Sequence, residues 1–319
     1  MFVMKKFFNT HPSLILLTFL LLVGFNTKIY PQKSDIEIMG LKGKVKSVKQ
    51  ITYDVVKKNG EIHKGRISKN SSSHLYHVFN KDGFNTEVYY YDTSNSESIF
   101  DTKNTFKYDD ENRLKKKSTS LDGSLSSEKI YRYDDRGNLT EMTENNSLGK
   151  IIRNNKHRYD EKGNKIEKIE YKPDGSLFYK HIYKYDDKGN KIEWRYYNSN
   201  LKLIYKWKYK YNDKGYFIHG KRIYSNGKSD LKSTYKRNNE GVIIEWKQYE
   251  NGILINNEEY KDDDRGNLIE QIILEKFNFV KKIITYKYEY DKNNNWIKRI
   301  IFLDKEPMSI TEKTLEYFD

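Results

Sequence analysis

The chain has 319 residues, no cysteine, 28 tyrosines, four prolines and a formal net charge of +14. Without cysteine there are no disulfides, no thiolate zinc site and no acceptor for a lipoprotein anchor. Apolar residues make up only 36%, but the 15% aromatic share excludes a disordered chain, and tyrosine with asparagine and glycine punctuation points to β structure.

In chain order, Lys5 and Lys6 precede the apolar run Leu14 to Phe25 and then a polar flank, "NTKIYPQKSD". That order reads as a signal peptide over 1–32, with cleavage within 24–34, and the run is short for a membrane span. An uncleaved anchor is the alternative. Loss of the peptide, with Lys5, Lys6 and Lys28, lowers the charge from +14 to +11. The remaining positive charge favours anionic polymers or surfaces without choosing among them. Residues 33–75 read as strands and a loop leading into a repeat array.

The array occupies 76–300. The glycine of "YDDKGN" has equivalents at Gly83, Asn112, Gly137, Gly163, Gly189, Gly215, Gly241, Gly266 and Asn294. From Asn112 to Gly266 they recur every 25 or 26 residues, too short for a four-stranded propeller blade. A second turn signal falls midway, at Gly123, Gly175, Gly227 and Gly252. Each unit of about 26 residues is therefore two strands and two turns. Asp186 is placed to accept backbone hydrogen bonds, and Gly189 to take the left-handed position of a three-residue hairpin loop with a bulge. The mid-unit Asp-Gly and Asn-Gly pairs suit two-residue primed turns.

Alternation sets the faces. Six residues before each turn position stand His77, Phe106, Tyr131, His157, Tyr183, Tyr209, Tyr235, Tyr260 and Tyr288. Four before it stand Phe79, Tyr108, Tyr133, Tyr159, Tyr185, Tyr211, Arg237, Asp262 and Tyr290. A spacing of two puts both ladders on one face, where rings pack across strands. Arg237 and Asp262 are consecutive occupants of one slot, so an ion pair is expected to replace a tyrosine pair. The last residues, 301–319, read as a capping strand.

The segments "YRYDDRGNLTE", "HRYDEKGNKIE" and "YKYDDKGNKIE" resemble the YD repeat, the tyrosine–aspartate unit of Rhs- and teneurin-type proteins. The opening "LKGKVKSVKQITYD" and the closing "YEYDKNNNWIKRI" resemble the ends of small exported bacterial members. In large relatives such hairpins coil into a hollow shell enclosing a toxin. Nine units, with no toxin domain after residue 300, do not lead one to expect encapsulation.

The fold expected is all-β, an elongated antiparallel hairpin meander stacked as a solenoid-like curled sheet of roughly 16–20 strands, with partial closure as an alternative. A membrane-spanning barrel needs an apolar lipid-facing band. Lysine and glutamate occupy the alternate positions here, as in "KIEWR", which argues against one.

Catalytic signals are weak. Glu87, Glu141, Glu167, Glu193, Glu245 and Glu270 recur four residues after the turn position, as cross-strand partners of lysine would. The turn aspartates, including Asp262 to Asp264, act as turn formers rather than calcium ligands, and no nucleophile elbow or phosphate loop is present. No enzyme activity, cofactor or metal is expected. Trp194, Trp207, Trp246 and Trp296 among lysines suit stacking on sugars or bases, and export disfavours nucleic acid.

The expected role is that of an exported scaffold, periplasmic, cell-surface or secreted. It would bind polysaccharide or a protein partner at the envelope, with no integral membrane domain after signal cleavage. The alternative is a polymorphic-toxin accessory or immunity-type protein.

Overall fold

The computed structural model describes residues 33–69, 74–92, 99–274 and 281–319; the expected signal peptide lies outside them. They form a short helix, α1 (Asp35–Ile38), followed by β1 (Val45–Lys58), β2 (Glu61–Ile67), β3 (Leu75–Phe79) and eighteen further strands ending in β20 (Trp296–Leu303) and β21 (Glu306–Tyr317).

Every pairing is antiparallel, and from β3 onward each strand pairs with its neighbours in sequence. The sheet does not end at β21. That strand pairs with β1 from Val45↔Tyr317 to Asp54↔Ser309, while the same stretch of β1 pairs with β3 from Ser47↔Val78 to Gln50↔Leu75. β1 and β3 to β21 therefore close a ring of twenty strands, and β2 pairs with the far half of β1.

This corrects the expected elongated, solenoid-like curled meander: the protein is a closed β-barrel. Two physical reasons account for it. Bulges recur along the wall, for example between Lys184 and Tyr185 and between Lys210 and Tyr211, and each adds bend and twist to the sheet. Closure then pairs the two edges that an open sheet would leave exposed.

The seam is reinforced. Ile36, Leu41, Val45, Val48 and Phe79 form a buried cluster with Leu315 and Tyr317 against it. Ser34 caps α1 in a reciprocal capping box with Glu37, and Asp35 accepts from the Asn85 backbone N–H at 2.7 Å. Asn295 clasps Lys42 through both its backbone groups, at 2.7 and 2.8 Å.

The turn chemistry explains the repeat's letters. In the loop between β11 (Leu177–Tyr185) and β12 (Lys191–Tyr197), Asp186 Oδ1 accepts from the backbone N–H of Lys188 at 3.1 Å and of Asn190 at 2.8 Å. Its Oδ2 accepts from the Asn190 amide at 3.0 Å. Gly189 has φ +82°, and all nine turn positions have positive φ, the two asparagines at +60° and +61°. The mid-unit turns divide. Asp122-Gly123 and Asn251-Gly252 are two-residue loops with both residues left-handed. Gly175 and Gly227 instead close three-residue loops like the tyrosine–aspartate turns.

A ring hydroxyl links consecutive hairpins. Tyr185 Oη donates to the Lys165 carbonyl at 2.8 Å, Tyr159 to Leu139 at 2.8 Å, Tyr133 to Leu114 at 2.9 Å and Tyr211 to Lys191 at 2.8 Å. Each acceptor lies two residues after the preceding unit's turn position. These rungs give Tyr133, Tyr159, Tyr185 and Tyr211 a polar task beside their packing one. At the last turn Tyr288 makes the rung instead, donating to the Leu268 carbonyl at 2.8 Å, while Tyr290 donates to Asp263 Oδ2 at 2.8 Å.

Candidate functional site: an aromatic patch with buried ion pairs

The register assigns one face of the wall to the ladder tyrosines. On it, Tyr183 stands opposite Trp194, His181 opposite Tyr196, and Tyr196 opposite Tyr205. The residue skipped by the bulge, Ile192, reverses the alternation after each turn, which brings Trp194 onto the ring face and sends Glu193 to the other.

The densest part of this face spans β10 (Lys165–Tyr171) to β14 (Phe217–Tyr224), with β13 (Leu203–Tyr211) between. Tyr179 meets His181 edge-on at 4.8 Å, His181 meets Trp194 at 5.3 Å, and Tyr196 stacks on Tyr205 at 5.1 Å. Trp194 Nε1 donates to His181 Nδ1 at 2.7 Å, so that nitrogen is an acceptor and the ring is neutral. Burial first, then the nearby Lys168 charge, holds the His181 pKa down at about 4, in keeping with that tautomer.

Polar groups border the rings on both sides. Glu170, 2% exposed, accepts from the Tyr179 hydroxyl and pairs with Arg153 at 3.3 Å and Lys168 at 3.6 Å. Across the patch, Arg222 Nε donates to Asp230 Oδ1 at 2.9 Å, and the Tyr224 hydroxyl donates to Asp230 Oδ2 at 3.1 Å. The Arg222 guanidinium also lies over Tyr205 and Tyr224, at 5.8 and 5.3 Å. These cations are therefore neutralised locally.

The other ladder residues pack as a continuation of the patch. Tyr209 stacks with Trp207 at 6.3 Å, Tyr235 with Trp246 at 6.4 Å, and Tyr288 meets Tyr290 at 6.1 Å. Tyr131 stands opposite Met142, and Tyr260 donates to Glu258 at 2.6 Å. The turn residues Gly137, Gly163, Gly215, Gly241 and Gly266 all lie at one rim.

Arg237 and Asp262 do not meet. Arg237 Nε donates to the Phe217 carbonyl at 3.2 Å and its Nη1 to the Gly241 carbonyl at 2.6 Å. The guanidinium thus performs the rung that tyrosine performs elsewhere, and the expected ion pair is replaced by two backbone contacts. Asp262, an acceptor when ionised, makes no such rung; burial and the neighbouring Asp263 push its carboxyl pKa up.

On the opposite face, Glu87 pairs with Lys103 at 2.6 Å, Glu141 with Arg132 at 3.2 Å, Glu167 with Arg158 at 3.1 Å and Glu245 with Lys247 at 2.8 Å. Among the described residues no cluster of three histidine, aspartate or glutamate side chains could hold a metal ion. Sequence reasoning passed over Tyr179, His181, Tyr196 and Tyr205 as a group, although three of them share a strand parity with a ladder residue. It passed over Glu170, Arg153, Arg222 and Asp230 altogether. Glu170 and Arg222 follow bulges that shift their parity, whereas Arg153 already shares the parity of His157 on its own strand.

No family model matches the chain, and no curated protein matches it. Among solved structures it is similar to the crystal structure of TcdB2-TccC3-Cdc42, with a TM-score of 0.42 and 11% identity over 83% of this chain. It is also similar to TcdB2-TccC3 without its hypervariable C-terminal region, at 0.40 and 12% over 81% of this chain. The chain spans about 16% and 15% of those two chains. A porin-like protein from Bacteroides uniformis has a TM-score of 0.38 and 10% identity, covering 86% of this chain and 98% of that one.

Proposed function

We propose that this protein is an exported, non-enzymatic YD-repeat barrel that binds polysaccharide at the cell envelope. The observation that carries the reading is the patch built on Tyr179, His181, Trp194, Tyr196 and Tyr205 between the Glu170 and Asp230 ion pairs. The apolar C–H face of a pyranose stacks on tyrosine and tryptophan rings, and flanking carboxylates and guanidinium groups bind its hydroxyls. Nucleic acid fits less well: Arg153, Lys168 and Arg222 are already neutralised, and Glu170 and Asp230 would repel phosphate.

The test is a glycan array, followed by titration of the retained glycan, at physiological salt. Tyr196→Ala and Tyr205→Ala are each expected to weaken binding about tenfold, in line with the loss of one aromatic stacking contact of ~1–2 kcal/mol. Binding that is unchanged in both variants, or no glycan retained by the parent, would remove the proposal. A protein captured in the glycan's place would favour the partner-binding role.

A further inference from the structure

Because the wall is a run of hairpins, all tyrosine–aspartate turns lie at one rim and all mid-unit turns at the other. The two rims differ in chemistry. Exposed aliphatic and aromatic side chains gather at the mid-unit rim: Leu148 is 80% exposed, Leu201 59%, Phe178 49% and Ile151 47%. At the opposite rim the loop tips are aspartate, asparagine, glutamate, lysine, arginine and glycine. Ile192 and Val242 there sit at 38%, and a larger apolar exposure, Ile38 at 58% on α1, stands beside the Gly83 turn.

One residue here is held at a cost. Leu201 has φ +56°, in a turn closed by the same two backbone hydrogen bonds that close the turns at Gly149, Gly175 and Gly227. Leucine in the left-handed region costs roughly 1–2 kcal/mol that glycine avoids. The strained turn presents an apolar side chain, 59% exposed, at a loop tip two hairpins from Leu148, which is 80% exposed. Strain at an exposed position points to a use outside the fold.

We infer that this sector of the rim docks onto the surface of a bilayer containing anionic lipid, with Leu148 and Leu201 entering the interface. Charge supports that occupant. Lys150, Lys172, Lys202 and Lys228 are exposed in the same four turns, where the acidic groups are Asp174 and the already paired Asp230. Each such lysine adds about 1 kcal/mol near an anionic membrane surface. Geometry supports it as well. Neighbouring hairpin tips are two strand spacings apart, about 9.5 Å, so the tips at 148 and 201 lie roughly 20 Å apart along one rigid rim. A plane meets both at once. A second copy of this chain, meeting rim to rim, would set four lysines against four lysines.

The absence of cysteine makes the test direct. Leu148→Cys, Leu201→Cys and, at the opposite rim, Lys188→Cys are each introduced into the full chain and labelled with an environment-sensitive fluorophore. Vesicles of phosphatidylcholine and phosphatidylglycerol in a 7:3 ratio are then added. The expected result is a several-fold rise in emission with a blue shift at 148 and 201, no change at 188, and a smaller response to pure phosphatidylcholine. No change at the two tips, or an equal change at all three sites, overturns the inference. So does a tip response without vesicles that grows with protein concentration, which would report rim-to-rim association.

Discussion

The hydroxyl rungs make a quantitative prediction. Changing Tyr133, Tyr159, Tyr185 and Tyr211 to phenylalanine keeps each ring in its ladder and removes one donor from a backbone carbonyl at 2.8 to 2.9 Å. A part-buried hydrogen bond contributes about 1 kcal/mol net, and loss of the donor leaves the carbonyl under-satisfied. Neighbouring rungs are two strands apart, about 9.5 Å, which is far enough for the effects to add. The quadruple variant should therefore lose about 4 kcal/mol. At about 2 °C per kcal/mol for a domain of this size, its melting temperature should fall by about 8 °C.

Thermal and urea unfolding followed by circular dichroism would measure this, with Tyr183→Phe as the internal control. Tyr183 is a ladder residue two positions from Tyr185, and its hydroxyl makes no hydrogen bond with a described residue in the structure. Its replacement should cost under about 0.5 kcal/mol. If the quadruple variant melts within a degree or two of the parent, or if Tyr183→Phe costs as much as Tyr185→Phe, the rung explanation of the tyrosine at this position is wrong.

Three further outcomes are expected. Asp262→Tyr should complete the rung missing at that slot and raise stability by about 1 kcal/mol, read as a higher urea midpoint; a lower midpoint would count against it. His157, whose Nδ1 is buried without a partner, has its pKa lowered to about 4 by burial and by Lys165 and Lys168. The unfolded chain then binds the extra proton first, so stability should fall as pH drops from about 6.5 to 4. His157→Phe should remove about 1–2 kcal/mol of that fall, solvent screening included, and an unchanged pH profile would refute it. Lys313, stacked over Trp296 at 3.4 Å and facing Arg299, is lowered to about 7 chiefly by burial. Parent stability should therefore rise with pH from about 7 to 10, where the unfolded state holds more protons. Lys313→Met should abolish a few kcal/mol of that rise, and a rise of the same size in the variant would contradict it.

Much of the wall was readable in the sequence because its signals are local. A left-handed residue must stand at each turn, only glycine and asparagine fill the nine positions, and all nine have positive φ. The ladder tyrosines likewise share a face, because a spacing of two cannot place them otherwise. What local signals could not convey was the bulge after each turn. It shifts parity by one, so Trp194, five residues past Gly189, joins Tyr183 while Glu193 joins Lys184. The patch beside Glu170 and Asp230 was hidden by that shift, and so was the rung, which needs the carbonyl at the bulge to face the next hairpin's hydroxyl.

Closure was hidden for a different reason. A repeat whose units are alike specifies how each hairpin meets the next, and this relation is the same in an open stack and in a ring. The decision rests with segments outside the repeat. Val45 to Asp54 must offer one edge to β21 while Ser47 to Gln50 offer the other to β3, and α1 must cover the joint. Val45 and Val48, at 0% and 2% exposure, are buried in the seam cluster with Ile36, Leu41 and Phe79, and Val48 lies where both edges of β1 are paired. The apolar character of this stretch marks it as a strand but does not name its partners. Barrel closure is thus a property of the seam, while curvature belongs to the repeated bulges. A polar substitution at Val48 would therefore disturb ring closure while leaving the hairpins between β5 (Ile99–Tyr108) and β18 (Leu268–Leu274) with every local interaction they now have.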